Sequence, residues 1–594
     1  MNKIIKHKIL AGAMLFGFML AGSSCEDNEG IRVTPEVPMA DKTLYEVILN
    51  DPDLTDFVRV LDSCDLKYPR EENSHRLADS LFNHSRVYTV WAPVNGSFNA
   101  ESIIEEMGAD KENRDLVFRS FIESHIANHL VAANGTLESD NSIMTLNGKK
   151  VSFTGDYKEG YVFSGVKLED KNIRVKNGLL HKIAGPIEYK YSIWEYLKIA
   201  ENVDSVSKYL YSYNVTEFNP GLSIAGPIVN SQLTYIDSAF TTSNVWLDSW
   251  KGVGNLDNED STYVVFVPSN AMWNEWIEKT EAYFNYDLSY SDQQMPKSVK
   301  AERDSLRRYY ARFNHLKYMT YSENEQKHVK PTDSMMPAYR GSNRRPLFAK
   351  EDLEKHIVPG LTKELSNGTF HLVDSMPYKP TDLWHDTIFL EAENSKMWGS
   401  SMPAEVRSVS AYKSQLNDKD SLLLGAEVSG GNYLAFERST ELSANVYLKV
   451  PKVLSAGYHV ALIVIPKNIT NEYVAPKDMH PSKLIVTIDQ TQGKGSKNTL
   501  FPIIENEDGE LVNTFITNPA GIDTIYLTVD GTRDGERAVV TPKYAEYYDS
   551  DSEKDYHVTL TVSSDGAGRE DEGVIYDYSI RIDKVLFIPV PYSE

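Results

Sequence analysis

The sequence predicts a multidomain chain in which two related α+β segments are followed by an all-β sandwich. At 594 residues the chain is longer than a single hydrophobic core supports. One set of motifs occurs twice in the first two thirds of the chain, which indicates an internal repeat. The last third consists of short runs of alternating apolar and polar residues, the pattern of strands with one buried face.

Composition indicates a folded protein, and the net charge limits the kinds of molecule it is expected to bind. Hydrophobic residues make up 41% and charged residues 25% of the chain, which is typical of folded globular proteins. The net charge of −24 repels phosphate backbones and anionic headgroups, so no nucleic acid is expected as a partner. Uncharged glycans and basic protein surfaces fit this charge better.

The first 24 residues have the pattern of a secretory signal. Three lysines precede the apolar stretch 9–21, which is too short to span a bilayer as a helix. Small residues stand directly before Cys25, and this ending resembles the lipobox of bacterial lipoproteins. The resemblance implies that Cys25 is acylated and that the acyl chains are the only contact with the lipid bilayer. The alternative is an ordinary cleaved signal in which Cys25 has no role.

An acidic run follows Cys25, from Glu26 to Glu29. It resembles the export tag that sends lipoproteins of Bacteroidetes-type bacteria to the outer face of the outer membrane. We therefore expect a lipid-anchored protein at the cell surface. Residues 25–40 are acidic and contain prolines, and they are expected to form a tether.

The repeat is clearest in two strands that end in proline. Arg86–Ala92 is rich in β-branched and aromatic residues and stops at Pro93, and Tyr263–Val267 stops in the same way at Pro268. An asparagine stands two residues after each proline, at Asn95 and Asn270.

Two later motifs keep the same spacing in both copies. The interval from His125 to the pair Asn177-Gly178 equals the interval from His315 to Asn367-Gly368. The repeat predicts two segments, 41–190 and 191–384. Ser192 and Glu195 have capping-box spacing at the opening of the second one. Its additional residues fall within Tyr283–Lys300, which we expect to be a surface loop.

This set of motifs resembles the fasciclin-like adhesion domain. The resemblance implies a compact wedge of β-sheet and helices in each segment and an adhesive function toward proteins or glycans. His125 and His315 stand at the adhesion-motif positions of that family. The tyrosine that precedes the histidine in the family is replaced here by Ser124 and Asn314, which places an integrin-type contact in doubt.

Residues 385–594 are predicted to form the sandwich. Strands are expected at 445–450, 458–465, 484–488, 524–529, 557–562 and 578–588. The opening strand with Glu391 and Glu393, the Gly430-Gly431 turn and the closing strand with Asp583 resemble jelly-roll carbohydrate-binding modules. This resemblance implies a structural calcium on those three carboxylates. The alternative is that they are charges on solvent-facing strand positions.

Three aromatic residues are candidates for glycan contact. Trp398, Tyr412 and Tyr433 are expected to be exposed on the sandwich, where aromatic faces stack on sugar rings. The alternative for each is packing within the sheets.

No pattern of catalytic residues is evident, so no catalytic residue and no enzymatic activity are predicted. His125 and His129 stand four apart, like half of a zinc site, but the glutamate of a metalloprotease helix and a third ligand are missing. Beyond the calcium, no cofactor is predicted. A pair of carboxylates suited to glycoside hydrolysis could still form in space, which leaves a carbohydrate-active enzyme as an alternative.

The combined expectation is a surface lipoprotein with a non-catalytic binding role, accessory to a SusC/SusD-like nutrient-uptake system. Its expected partners are glycans, an outer-membrane transporter or other surface lipoproteins. The alternative in a different class is a structural adhesin that binds host or neighbouring-cell proteins.

Overall fold

The computed structural model describes residues 40–63, 65–66, 75–76, 87–109, 114, 116–221, 224–229, 232–237, 240–248, 250, 252–286, 297–330, 332–341, 345–375, 378–411, 427–437, 444–469, 475–492, 496–500, 514–529, 531, 535–546, 556–564, 570–571 and 573–591. The chain divides into two compact units, Met1–Tyr189 and Lys190–Glu594. No helix in the described ranges has the length and apolar character needed to cross a membrane.

The first unit combines short helices with one large sheet. Its helices are α1 (Leu44–Leu49), α2 (Thr55–Ser63) and α3 (Ala100–Ala109), with single turns at Pro52–Leu54, Phe118–Ile122 and Glu123–His125. Its strands are β1 (Asp65–Leu66), β2 (His75–Arg76), β3 (Tyr88–Pro93), β4 (Ile126–Ala127), β5 (Ser142–Met144), β6 (Lys150–Asp156), β7 (Gly160–Phe163), β8 (Val166–Val175) and β9 (Gly178–Ile183).

Seven of these strands form a sheet in the order β4-β3-β9-β8-β7-β6-β5. β3 and β9 run parallel and the other neighbours are antiparallel. Every residue of β3 is buried, because apolar clusters cover both of its faces. Val90 packs toward the helices, whereas Trp91 packs against Phe153 and Phe163.

The second unit begins with a similar mixture. Its helices are α4 (Ile193–Ile199), α5 (Asp204–Tyr211), α6 (Asn270–Glu281), α7 (Lys297–Leu316), α8 (Glu323–Gln326) and α9 (Lys350–Glu354), with single turns at Val245–Leu247 and Ala282–Phe284. Its strands up to residue 373 are β10 (Asn214–Phe218), β11 (Ile224–Val229), β12 (Gln232–Asp237), β13 (Phe240–Asn244), β14 (Tyr263–Pro268), β15 (Thr320–Ser322), β16 (Ser334–Met335), β17 (Phe348–Ala349), β18 (Ile357–Leu365) and β19 (Gly368–Val373). The capping box predicted at Ser192 and Glu195 is confirmed at the start of α4.

A central pair of parallel strands occurs in both units with the same register. β3 pairs with β9 so that Trp91 lies opposite His181, and β14 pairs with β19 so that Phe266 lies opposite His371. The paired rings stack, with centroids 5.4 Å apart in the first case and 5.1 Å in the second. Each parallel pair is flanked by an antiparallel strand on both sides. These strands are β4 and β8 in one sheet and β15 and β18 in the other.

The repeated asparagines bind helix starts. The side-chain oxygen of Asn95 accepts a hydrogen bond from the amide of Asp56 in α2, and that of Asn270 accepts one from Ser205 in α5, each at 2.8 Å. Such oxygens satisfy amides that have no partner within the helix.

Asn177 and Asn367 do the same for the helix that opens each segment. Their side-chain oxygens accept hydrogen bonds from Leu44 in α1 at 2.8 Å and from Ile193 in α4 at 2.9 Å. The asparagines that revealed the repeat therefore make the same contacts in both copies.

The remainder of the second unit is built of strands and single helical turns. The turns lie at Pro380–Asp382, Ser395–Met397, Ser429–Gly431, Lys467–Ile469 and Pro476–Asp478. The strands are β20 (Ile388–Glu391), β21 (Arg407–Ser410), β22 (Asn432–Phe436), β23 (Asn445–Val450), β24 (Tyr458–Val464), β25 (Lys483–Gln492), β26 (Ser496–Thr499), β27 (Thr514–Ile516), β28 (Asp523–Tyr526), β29 (Tyr556–Ser564), β30 (Glu570–Asp571), β31 (Val574–Ile575) and β32 (Ile580–Pro589). All six strands predicted from the alternating pattern are present.

Two sheets enclose the core of this part. One has the order β21-β22-β32-β24-β28 with β20 also paired to β32, and the other has the order β23-β29-β25-β26 with β27 also paired to β25. The inward residues of both sheets belong to a single apolar cluster, for example Val460 and Phe587 from the first sheet and Leu448 and Ile488 from the second. This is the arrangement of a β-sandwich.

The surface loop predicted at Tyr283–Lys300 is wrong where the structure describes it. Tyr283, Phe284 and Tyr286 are buried and pack against Ala545 of the sandwich part. The backbone of Asn285 accepts a hydrogen bond from the amide of Ala545 at 2.8 Å. From residue 297 onward the segment is the helix α7. Aromatic residues in this insertion thus bury apolar surface within the second unit rather than face solvent.

Candidate functional site

Three carboxylates lie close together in the sandwich, where β20 ends beside β32. Glu391 ends β20 and Asp583 lies in β32, and these two strands are paired. Glu393 follows two residues after β20. The turn Ser429–Gly431 lies beside them, since the Ser429 hydroxyl donates to Glu391 Oε1 at 2.7 Å and the Ser429 amide donates to Asp583 Oδ1 at 3.0 Å.

Each of these carboxylates keeps one buried oxygen without a hydrogen-bond donor among the described residues. The three atoms are Glu391 Oε2, Glu393 Oε2 and Asp583 Oδ2. A cation lies near one of them, since Lys584 Nζ is 3.7 Å from Asp583 Oδ2. Buried carboxylate oxygens are costly without a donor or a cation, so this group of carboxylates favours an added positive charge.

The electrostatics agree with this requirement. Burial raises the pKa of Asp583 to about 6, and repulsion from Glu391 adds to the rise. Burial also raises the pKa of Glu393, with further contributions from Glu391 and Asp583. Close carboxylates disfavour one another's charged form unless a cation lies between them.

The residues present fit a calcium ion in chemistry but do not form a closed ligand set. Calcium prefers six to eight oxygen ligands, mainly carboxylate and carbonyl oxygens. No group of three or more His, Cys, Asp or Glu side chains within the described ranges is spaced to hold a metal ion. Mutual repulsion explains the spacing, because carboxylates separate when no ion lies between them. The buried oxygens without donors still favour a cation at this place. Glu391, Glu393 and Asp583 would have to move toward the ion, and backbone carbonyls would complete its shell.

The aromatic residues predicted as exposed glycan contacts are placed differently. The exposure predicted for Tyr433 is wrong: its side chain is 0% exposed, because it belongs to a small apolar cluster outside the main core. Trp398 is half-buried against the core, and its indole N–H donates to the carbonyl of Ala392 at 2.8 Å. Tyr412 lies outside the described residues.

Sequence reasoning missed a different aromatic residue, Tyr447. It lies half-exposed on the outer face of the second sheet, directly beside Thr561 of β29, which in turn neighbours Thr487 of β25. The signal was present in the sequence, because Val446, Leu448 and Val450 alternate with Tyr447 and face the core. A tyrosine opposite such a set must face outward.

The adhesion-motif histidines do not reach the surface. His125 is 0% and His315 is 1% exposed, so neither ring lies at the surface, which agrees with the doubt about an integrin-type contact. His125 donates from Nδ1 to the carbonyl of Phe121, and its Nε2 accepts a hydrogen bond from the amide of Ile187 at 3.1 Å. His315 Nε2 lies 2.8 Å from the Thr280 hydroxyl. Both histidines connect backbone segments inside their units.

The half-site His125 and His129 is not formed. His125 ends a single helical turn, and the strand β4 follows it, so the two side chains do not share one helix face. His129 is exposed.

Acid is expected to loosen the contact between His125 and Ile187. Burial lowers the pKa of His125 to about 4. Because the unfolded chain takes up a proton near pH 6.5, the stability due to the neutral ring falls as pH drops from there toward 4. His125 alone should lower the free energy of unfolding by about 2 kcal/mol between roughly pH 7 and pH 5. Hydrogen exchange at the Ile187 amide measures the effect.

The matched control is the exposed His129. His129→Gln should keep the pH dependence of exchange at Ile187, whereas His125→Gln should flatten it. An unchanged slope in His125→Gln would contradict the assignment.

Comparison with known proteins supports part of this picture. Residues 52–188 match the family model of the Fasciclin domain. No curated protein matches the chain.

Several solved structures are similar to parts of the chain. A FAS1 domain pair from the insect cell adhesion molecule Fasciclin I is 12% identical, with 50% of this chain and 90% of that chain covered and a TM-score of 0.16. The CBM22-2 xylan-binding domain of Xyn10C from Paenibacillus barcinonensis is 9% identical, with 35% and 99% covered and a TM-score of 0.20. An exo-beta-1,3-galactanase from Phanerochaete chrysosporium is 12% identical, with 43% and 40% covered and a TM-score of 0.15.

The Fasciclin match therefore covers residues 52–188, which lie within the first unit.

Proposed function

We propose that the chain is a cell-surface binding lipoprotein without catalytic activity, in which two fasciclin-like modules carry a jelly-roll sandwich that binds glycan. The observation that carries the proposal is the Fasciclin match at 52–188 together with the recurrence of its contacts in the second unit. The parallel pair β14 and β19 and the caps made by Asn270 and Asn367 repeat those of the matched domain. The proposed modules are 41–190 and 191–384, and the proposed sandwich is 385–594.

Attachment at the cell surface is part of this proposal. Cys25 and the signal before it lie outside the described residues, so their support is the sequence alone. Metabolic labelling with a fatty acid tests the anchor. Label is expected in the wild-type chain and not in Cys25→Ala, and a Cys25→Ala protein that stayed labelled and bound to membranes would contradict acylation at this cysteine.

The sandwich offers a surface suited to a neutral glycan. Tyr447 supplies an aromatic face, and Thr561 and Thr487 supply hydroxyl groups in the same row across three strands. Sugar rings stack on aromatic faces while polar groups fix their hydroxyls. A neutral glycan also avoids the repulsion that the acidic chain would exert on an anionic ligand.

Affinity electrophoresis against neutral polysaccharides, with the full chain, tests this function. Retardation by at least one glycan is expected, and Tyr447→Ala should abolish it. The matched control is Tyr157→Ala, which removes a tyrosine that is 71% exposed in the first unit and should leave retardation unchanged.

The other outcomes separate the remaining functions. No retardation, with an outer-membrane transporter co-purifying, would replace glycan capture by a scaffold role beside a SusC/SusD-like system. Binding to host or neighbouring-cell proteins alone would indicate the structural adhesin. Turnover of a glycan would contradict the non-catalytic proposal.

Calcium is expected to stabilise the sandwich through Glu391, Glu393 and Asp583. A bound ion supplies positive charge to their buried oxygens, and at a hundredfold excess over its dissociation constant it adds about 2.7 kcal/mol. The measurement is the melting temperature at neutral pH with calcium and after treatment with a chelator. Asp583→Asn should remove most of the difference, whereas the exposed Glu405→Gln should keep it.

The pH dependence gives an independent check. Without the ion, the folded state holds the Asp583 proton more tightly than the unfolded state, so stability due to this group falls as pH rises through about 6. Calcium should reverse that trend, because it binds the ionised form. Equal melting temperatures with calcium and with chelator at neutral pH would contradict the site.

A further inference from the structure

The second unit contains a long two-stranded arm, which we define as residues 214–244. β10 pairs with β13 over five residue pairs, from Asn214 opposite Asn244 to Phe218 opposite Phe240. β11 and β12 continue the arm toward its tip, and Phe218 links the two halves by contacting Tyr235 with ring centroids 4.8 Å apart. Each half is a sheet of only two strands in the described part of the chain.

The strands β10 and β13, which form the base of the arm, are exposed along almost their whole length. All five residues of β10 and the first four of β13 are exposed. Val215, Phe218 and Phe240 are 51%, 40% and 54% exposed. A two-stranded ribbon is marginally stable in water, because it cannot bury its apolar side chains between only two strands. These side chains therefore remain available to a further strand.

The arm is almost free of charge in a highly charged chain. No lysine or arginine occurs between Lys208 and Lys251, and the acidic residues in that interval are Glu217, Asp237 and Asp248. β13 itself, Phe-Thr-Thr-Ser-Asn, carries no charged residue. Exposed edge strands in monomeric proteins are usually protected by lysine, proline or a bulge, and β13 has no lysine or proline.

Features that protect an edge strand from pairing with another strand occur in β11, elsewhere in the arm. β11 contains Pro227, and its pairing with β12 is irregular in register. The described edge of β13 is regular, with five consecutive pairs to β10. β10 carries the charged Glu217, so the uncharged open edge at the base of the arm is the outer edge of β13.

We propose that β13 pairs with β13 of a second copy of this chain. The two strands would run antiparallel about a twofold axis, and the four strands β10-β13-β13-β10 would form one sheet. The occupant is a second copy because β13 is complementary to itself: in an antiparallel register centred on Thr242, Thr241 lies opposite Ser243, and such side chains form hydrogen bonds across strands without placing like charges in contact. Antiparallel pairing of one strand with itself is self-complementary, as a twofold interface requires.

The test is the mass of the full chain in solution under reducing conditions, measured by sedimentation velocity over a wide range of concentration. The wild type is expected to be a dimer. The double variant Thr241→Lys with Ser243→Lys should be a monomer, because lysines would face lysines across the axis. These substitutions make the chain less negative overall, so general charge repulsion cannot account for dissociation. The lysine introduced at position 241 would also lie opposite Glu217 of β10, which keeps the arm folded.

Two further samples sharpen the result. Ser408→Lys places the same charge on β21, an exposed edge strand of the sandwich, and should remain a dimer. The triple variant Glu217→Lys, Thr241→Glu and Ser243→Glu keeps opposite charges at the paired positions 217 and 241. It should be monomeric alone, and its mixture with the double-lysine variant should restore the dimer mass. A monomeric wild type, a dimeric double-lysine variant or a mixture that stays monomeric would each overturn the proposal.

Discussion

Alanine at Gly178 is expected to destabilise the first unit by about 3 kcal/mol or more. A Cβ there would lie 2.0 Å from the carbonyl oxygen of Tyr88 and 2.9 Å from Leu44 Cδ1. The first of these atoms is backbone in the partner strand β3, so no side-chain rotation relieves the clash. Denaturant unfolding, followed by hydrogen exchange in β3 and β9, measures the loss.

Gly108 provides the control within the same unit. It lies in α3, and a Cβ there meets nothing within 4 Å. Gly108→Ala should therefore stabilise the unit by roughly 0.5 to 1 kcal/mol, since alanine favours helix over glycine. Equal stability of the Gly178→Ala protein and the wild type would show that the two strands can separate without cost.

The same substitution in the second unit tests the repeat. A Cβ on Gly368 would lie 1.9 Å from the carbonyl oxygen of Tyr263 in β14. Gly368→Ala should destabilise the second unit as Gly178→Ala destabilises the first, because the glycine performs the same task in both parallel pairs.

The second large effect is expected from Arg581→Leu in the sandwich. The Arg581 side chain is 3% exposed, and its guanidinium binds Asp577 at 2.9 Å and both oxygens of Glu437. Removal of the guanidinium leaves the carboxylate of Asp577, which is 12% exposed, without its cation. Breaking a buried pair on one side costs about 3 to 5 kcal/mol. Thermal unfolding at neutral pH measures the loss.

The matched control removes the exposed partner. The Glu437 side chain is 52% exposed. Glu437→Gln should therefore cost less than about 1 kcal/mol, because solvent screens that pair. A similar loss in both variants would mean that Asp577 is not the energetically important partner.

The dependence of stability on pH in Arg581→Leu provides a second test of this pair. Burial alone would raise the pKa of Asp577, but the Arg581 guanidinium outweighs it and holds this pKa below the usual range. The stability due to the pair is thus present above the unfolded pKa near 3.8 and is lost as pH falls through the folded value. Without Arg581 burial dominates, so the variant should become more stable on mild acidification.

The sequence predicted elements whose signal is local. Val446, Leu448 and Val450 alternate strictly, and β23 has the predicted bounds. The capping box at Ser192 depends on residues three apart, so it too could be recognised without the fold. The spacing of Asn177 and Asn367 revealed the repeat, although not that these asparagines cap the first helix of each segment.

The sequence did not predict the burial of side chains that are covered by residues far along the chain. Tyr433 lies in a strand whose two faces are both covered, so alternation did not distinguish outward from inward there. The histidines at 125 and 315 are buried by segments far along the chain, such as Ile187 and Trp384. The carboxylate group of Glu391, Glu393 and Asp583 was predicted from family resemblance, and its buried oxygens without donors are visible only in three dimensions.

The insertion that packs on the sandwich has a consequence for synthesis. Tyr283, Phe284 and Tyr286 share an apolar cluster with Ala545, which the ribosome adds some 260 residues later. At about 5 to 20 residues per second, this cluster stays incomplete for roughly ten seconds or more after the aromatic residues are added. Holding chaperones therefore have an interval in which to bind the nascent chain, and a protein truncated before residue 545 would leave part of this apolar surface exposed.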